Sequence, residues 1–252
     1  MNLTETDIEF GFWYFKTRSP VYLNYDDPKI NSEKNLGIGF YDEHNTSREL
    51  KKWNEKLESL ENVEYLWTYH KLNQDTFDVL TRMKNLKGLN IKWSSIKSLE
   101  GIEKLENIEH LNLGLSTSIT DLKPIPRLKS LITLESENLK KVKNWDLIGE
   151  LPNLEGLGIS GGMYQTLKLN SIIFLKDLTK LKYLFLINTS INDSSLSPIE
   201  NLKNLQCIRL SNRWKDEQLK NLRLNLPKLK YGNVALDETT KRLHKVFRQK
   251  KN

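Results

Sequence analysis

Acid–base, metal or nucleophilic chemistry in this chain would have to draw on four histidines and one cysteine, and their placement supports none of it. His44, His70, His110 and His244 are scattered from end to end, so no pair has the spacing that sets two ligands on one element. With Cys207 alone, no zinc ribbon can form. A nucleophilic thiol also needs a neighbour that lowers its pKa, and the sequence assigns none; a small, semi-buried strand residue is the expectation. Asp42-Glu43-His44 has proton-transfer groups, but it follows an apparent strand and reads as a polar turn. Gly161-Gly162 lacks the strand–glycine–helix context of a phosphate loop, and no Gly-x-Ser-x-Gly elbow occurs. The expectation is a protein without catalytic residues, cofactor or metal, whose work is done by a surface.

The elements that would build such a surface recur. From about residue 60 to 234 the chain repeats a frame of one apolar residue, two variable ones, a second apolar, one variable, and a third apolar. Copies read Val63/Leu66, Leu86/Leu89/Ile91, Ile108/Leu111/Leu113, Leu128/Leu131, Leu154/Leu157/Ile159, Leu181/Leu184/Leu186 and Leu205/Ile208/Leu210, with a degenerate last copy at Leu229, Gly232 and Val234. First positions are separated by 23, 22, 20, 26, 27, 24 and 24 residues. Leu89 and Ile91, two apart, share one face of a short strand, and Asn90 and Lys92 take the other. Ile96, Leu99, Ile102 and Leu105, three apart, suit a 3-10 or helical return leg with one buried stripe. One coil cannot bury its leucines alone, but a stack buries them in a continuous core.

The chain thereby resembles the leucine-rich repeat family, in particular its internalin-like class, over about 175 residues (60–234). The resemblance implies an α/β solenoid: a right-handed coil with a parallel concave sheet and short 3-10 or helical convex legs, capped at both ends. It also implies a protein-binding role. Family members carry Asn five residues after the second leucine, where its amide bridges coils; here those positions read Ser94, Ser116, Ser136, Gly162, Thr189 and Arg213. An irregular stack is expected, most of all in the copies starting at Leu128 and Leu154.

Three segments are expected: a cap over 1–59, about eight irregular repeats over 60–234, and a basic capping helix over 235–252. In the first, Ile8, Phe10, Phe12 and Tyr14 mark an aromatic strand, Leu36 to Tyr41 a second strand, and Thr46 or Ser47 a helix start. Leu50, Trp53, Leu57 and Leu60 form that helix's buried stripe. In the last, Asp237 is the expected N-cap, and Leu243, Val246 and Phe247 seal the final coil. Lys241, Arg242, Lys245, Arg248, Lys250 and Lys251 carry much of the net charge of +7, which comes from 39 basic and 32 acidic residues. One cysteine suits a reducing compartment. The amino terminus, Met1-Asn-Leu-Thr-Glu, lacks the basic and apolar regions of a secretory signal, and no apolar run reaches the length of a membrane span. A cytoplasmic protein is expected, and the Lys/Asn/Ile-rich usage suits a bacterial source.

Alternate strand positions give the solvent face: Tyr65, Trp67 and Tyr69; Gly88, Asn90 and Lys92; His110, Asn112 and Gly114; Ser130, Ile132 and Leu134; Gly156, Gly158 and Ser160; Tyr183, Phe185 and Ile187; Cys207, Arg209 and Ser211. Exposed aromatics next to small residues suit a partner. The expected partner-binding residues are Tyr65, Trp67, Tyr69, Asn90, Lys92, Asn112, Ile132, Tyr183, Phe185, Ile187 and Arg209. The aromatic amino-terminal strand is a second candidate cover for the first three. The leading expectation is a non-enzymatic protein-binding module, monomeric or weakly homodimeric; the resemblance points to a toxin-neutralising immunity protein or an adaptor. The alternative is nucleic-acid or anionic-surface binding through the basic helix, ranked second because no nucleic-acid motif accompanies the charge. A regulator or hidden enzyme working through the amino-terminal cap is the third.

Overall fold

The computed structural model describes residues 20–39, 46–69, 71–211 and 214–235. His44, His70, Arg213 and His244, the Ile8–Phe15 stretch, Phe40 to His44 and the helix expected from Asp237 lie outside them.

Nine strands form one parallel sheet, each added beside the last. They are β1 (Val21–Tyr22), β2 (Asn35–Ile38), β3 (Tyr65–Thr68), β4 (Gly88–Lys92), β5 (His110–Gly114), β6 (Thr133–Glu137), β7 (Gly156–Ser160), β9 (Tyr183–Ile187) and β11 (Cys207–Leu210). Two further strands, β8 (Leu167–Leu169) and β10 (Thr189–Ile191), pair with each other as a separate short sheet. The return legs are 3-10 turns, such as Ile102–Lys104, Ile125–Arg127, Trp145–Glu150 and Ile173–Asp177, or short helices, such as Gln74–Leu80 and Ser197–Glu200. The sheet is not closed into a barrel. This is the leucine-rich repeat solenoid that the spacing predicts.

The register explains why the frame works. Leu36, Leu66, Leu89, Leu111, Leu134, Leu157, Leu184 and Ile208 align across the sheet, each at most 3% exposed. Ile96, Leu99, Ile102 and Leu105 close the coil from the other side and are equally buried. The helix Thr46–Leu57 buries Leu50, Trp53 and Leu57, with Leu60 beyond it, as its periodicity requires. The sheet also runs back past the first legible repeat, because β2 pairs with β3 in the same register. Its frame was hidden by Glu33 in the first apolar position, where the carboxylate instead accepts from the Lys34 and Asn35 amides.

Two expectations are corrected. In the fourth copy the frame is Leu131/Leu134/Ser136, not Leu128/Leu131, because His110 pairs with Thr133 and Leu113 with Ser136. Ser136 stands where a third leucine was sought, and its hydroxyl donates to the Gly158 carbonyl at 3.2 Å, which offsets its burial. Thr68 does the same to the Asn90 carbonyl at 3.3 Å. The 20- and 26-residue spacings thus become two of 23, and from Val63 onward only the 27 between Leu154 and Leu181 is long.

The second correction concerns the ladder. An asparagine ladder exists, but one residue before the first apolar position. Asn85 donates to the Glu61 carbonyl (2.8 Å), Asn107 to Lys84 (3.0 Å), Asn153 to Lys129 (2.9 Å) and Asn204 to Thr179 (3.0 Å), each one coil back. Ser130 fills the missing rung, on the Glu106 carbonyl at 2.9 Å. At the position first examined, Ser94 donates to Ser116 at 2.7 Å, so serine bridges those two coils.

Candidate protein-binding face

The sheet has one face packed on the leucines, and its other face is a lattice read directly from the register. One row runs Tyr65, Gly88, His110, Thr133, Gly156, Tyr183, Cys207. The next runs Gly37, Trp67, Asn90, Asn112, Glu135, Gly158, Phe185, Arg209. A third runs Lys92, Gly114, Glu137, Ser160, Ile187. Ten of the eleven expected residues do belong to this face or border it, but their exposure differs from expectation.

Trp67 (0% exposed), Tyr183 (2%), Asn90 (5%) and Phe185 (6%) are buried, not solvent-facing. Arg209 holds its guanidinium 5.5 Å from the Phe185 ring centroid, and the Tyr183 hydroxyl reaches Gln206 Oε1 at 3.4 Å. Burial raises the Tyr183 phenol above its ordinary pKa, and Tyr65 likewise. Ile187 is exposed, whereas Tyr65, Tyr69, Lys92, Asn112 and Arg209 are half-buried. Tyr69 stacks at a tilt against Tyr22, which folds over Gly37 at the sheet's first edge.

Ile132 is the exception. The frame slip placed it among the face residues, with Ser130 and Leu134, but the strand residues there are Thr133, Glu135 and Glu137. Ile132 instead precedes the strand, at the level of Glu109 and Glu155 in the adjoining coils. That level is a row of charge along the strand-start edge: Lys87 meets Glu64 at 2.7 Å and Lys182 meets Glu155 at 2.9 Å. Lys87 and Lys34 together hold the Glu64 carboxyl below the usual value.

Of the chemical candidates, Cys207, His110 and the Gly161-Gly162 pair lie within the described residues. Cys207 is buried, and desolvation pushes its thiol up to about 12, the reverse of what a nucleophile requires. His110 is fully buried with Nδ1 2.7 Å from Thr133 Oγ1. Among the described residues no group of three or more His, Cys, Asp or Glu side chains could hold a metal ion, and no helix is long and apolar enough to cross a membrane.

Two features of the face escaped the sequence. The residue after β4, β5, β6 and β9 turns through a left-handed conformation, at Trp93 (φ 60°), Leu115 (51°), Asn138 (59°) and Asn188 (51°). Asn tolerates this region, whereas Trp and Leu are strained in it. Trp93 is also 49% exposed, with Lys92 Nζ 5.4 Å from its ring centroid. After β7 the long repeat spends its extra residues on a loop whose tip, Met163 (82% exposed) and Tyr164 (92%), points away from the core. The 27-residue spacing and Gly161-Gly162 were the available signals. A Cβ at Gly161 would collide with the Asn188 and Gln165 carbonyl oxygens, so glycine is required by close approach.

No protein-family model matches the sequence. No curated protein matches it either. Similar solved structures include internalin C2 from Listeria monocytogenes, 23% identical over 70% of this chain and 74% of that one, with a TM-score of 0.53. Internalin F of the same species is 20% identical over 72% of this chain and 64% of that one, with a TM-score of 0.41. A leucine-rich repeat protein of Leptospira interrogans is 24% identical over 70% and 56%, with a TM-score of 0.38. The first of these carries the fold: the chain is built as an internalin-like leucine-rich repeat solenoid.

Proposed function

We propose that this protein is a non-enzymatic binding module that takes a partner protein on its strand face and on the rim where the strands end. The observation that carries the reading is the mixed chemistry of that face. Lys92, Asn112, Glu137, Ile187 and Arg209 stand on one rigid sheet, partly accessible, over a floor of buried rings. Rigid, mixed apolar and charged surfaces suit protein recognition, since little conformational entropy is lost on docking. Buried Trp67, Tyr183 and Phe185 act as the platform, and the contact falls to their accessible neighbours. Within this class we favour a cytoplasmic immunity protein or adaptor, a role that rests on the fold-level analogy alone.

The test is co-purification of a partner from cells that express the protein natively, with the wild-type chain beside a Lys92→Glu, Asn112→Arg variant. That variant puts a bulky cation at the centre of the face and reverses the charge at its edge. Loss of the partner with unchanged circular dichroism supports the reading; retention at full yield, or no protein partner at all, contradicts it.

A further inference from the structure

The geometry points to a cleft on the strand-end rim, between Glu137 and the Met163–Tyr164 loop, as the site for a partner segment carrying a lysine or arginine beside an apolar side chain. The inference rests on the protein-binding reading and narrows it to one place and one chemistry. The cleft measures about 560 Å³, with Met163 and Ile187 on one side and Glu135 and Glu137 on the other.

The apolar wall is exposed but held. Asn188 donates its amide to the Gly162 carbonyl, and its Oδ1 accepts from Thr166 at 3.1 Å. Gly162 and Gln165 form an antiparallel bridge, and the Gln165 amide donates to the Gly162 carbonyl at 3.3 Å, which makes Met163 and Tyr164 the two central residues of a tight turn. The Leu167 amide anchors the far end on the Asn188 carbonyl at 3.0 Å. The backbone that carries Met163 and Tyr164 is thus fixed before a partner arrives, so docking there costs little backbone entropy.

The opposite wall selects the occupant. Glu137 lies over Gly114, and its nearest cation, Lys92 Nζ, stands 3.9 Å away, with both side chains more than a third exposed. A pair so long and so wet is weak, and an incoming ammonium or guanidinium can replace it. An acidic segment would meet the Glu137 carboxylate and be repelled. A cation whose flanking apolar side chain rests on Met163 and Ile187 satisfies both walls.

The experiment uses the full chain with 13C-methyl methionine, which labels Met1, Met83 and Met163. The probes are the blocked pentapeptide Gly-Leu-Arg-Leu-Gly and the same peptide with Glu in place of Arg. The arginine peptide is expected to shift the Met163 methyl saturably while the buried Met83 methyl stays put. The glutamate peptide should leave both unmoved, and Glu137→Lys should weaken the arginine peptide at least tenfold. Tyr164→Ser, a surface change that cannot unfold the coil, should weaken it as well. An arginine peptide that does not move Met163, equal shifts from both peptides, or indifference to Glu137→Lys overturns the site. If the native partner is lost by the Asn112→Arg variant but untouched by Glu137→Lys with Tyr164→Ser, the cleft fails and the binding-module reading stands.

Discussion

Asn188 reaches back 26 residues to donate its side-chain amide to the Gly162 carbonyl, tying the 27-residue coil after β7 to the coil that follows it. Replacing Asn188 by Ala removes this bond, the bond from Thr166 and a residue that tolerates the left-handed φ. The expected loss is about 3 kcal/mol, from two hydrogen bonds of roughly 1 kcal/mol each plus about 1 kcal/mol for the strain of a left-handed Ala. A urea titration with an unchanged m-value checks it, and proteolysis at the Met163–Tyr164 tip should accelerate.

Trp93 sits in the same left-handed position four coils earlier, and there the sign reverses. Relief of strain in Trp93→Asn is worth about 1 kcal/mol, against about 0.5 kcal/mol for an exposed cation–π contact with Lys92. The variant should be slightly more stable than the parent in thermal unfolding. Trp93→Ala keeps the strain and loses the contact, so it should be less stable.

Core and ladder should separate cleanly. Leu157 is fully buried, and Leu157→Ala should cost about 2–5 kcal/mol. Asn107→Ala removes one exposed side-chain bond to the Lys84 carbonyl and should cost about 1 kcal/mol. Chemical denaturation of both variants under one set of conditions makes the comparison.

Cys207, with its thiol pushed up to about 12 and its side chain buried, should not react with a disulfide reagent at pH 8 in the native state. It should react fully once the chain is unfolded in guanidinium. Fast native labelling would contradict the packing of the final coils.

Glu64 supplies the pH dependence. Lys87 first, then Lys34, holds its carboxyl below the ordinary 4.5. A group depressed in the folded state stabilises above the ordinary value, and that contribution is lost as pH falls through the depressed one. Glu64→Gln should therefore lower stability at pH 7, by less than about 1 kcal/mol because the lysines are solvated. The gap to the parent should close as acid takes the pH below 4.5.

The solenoid was legible because a leucine every two and three residues admits few other folds, and most frame residues are where the spacing puts them. Legibility failed where polar side chains do an apolar residue's work. Ser136 fills an inward strand position by bonding to Gly158, so the search for leucine slid three residues to Leu128 and carried Ile132 onto the wrong edge. Glu33 hid the coil before the first visible one by the same means. The face was legible as a set of positions but not as a set of exposures. Alternation says which way Tyr183 points, and cannot say how much of its ring stays in water. The ladder is spelled by Asn85, Asn107, Asn153 and Asn204 one residue before the first apolar position, but Ser130, Lys180 and Lys228 interrupt it, which hides its period.

The central claim, that a partner protein docks on the strand side and its rim, is tested most directly by hydrogen–deuterium exchange of the full chain, alone and saturated with the co-purified partner. Slowed exchange is predicted at the strand ends after Lys92, Gly114 and Ile187 and in the Gly161–Gln165 loop, with the outer legs Ile102–Lys104, Ile125–Arg127 and Trp145–Glu150 unchanged. Protection confined to those outer legs would contradict it.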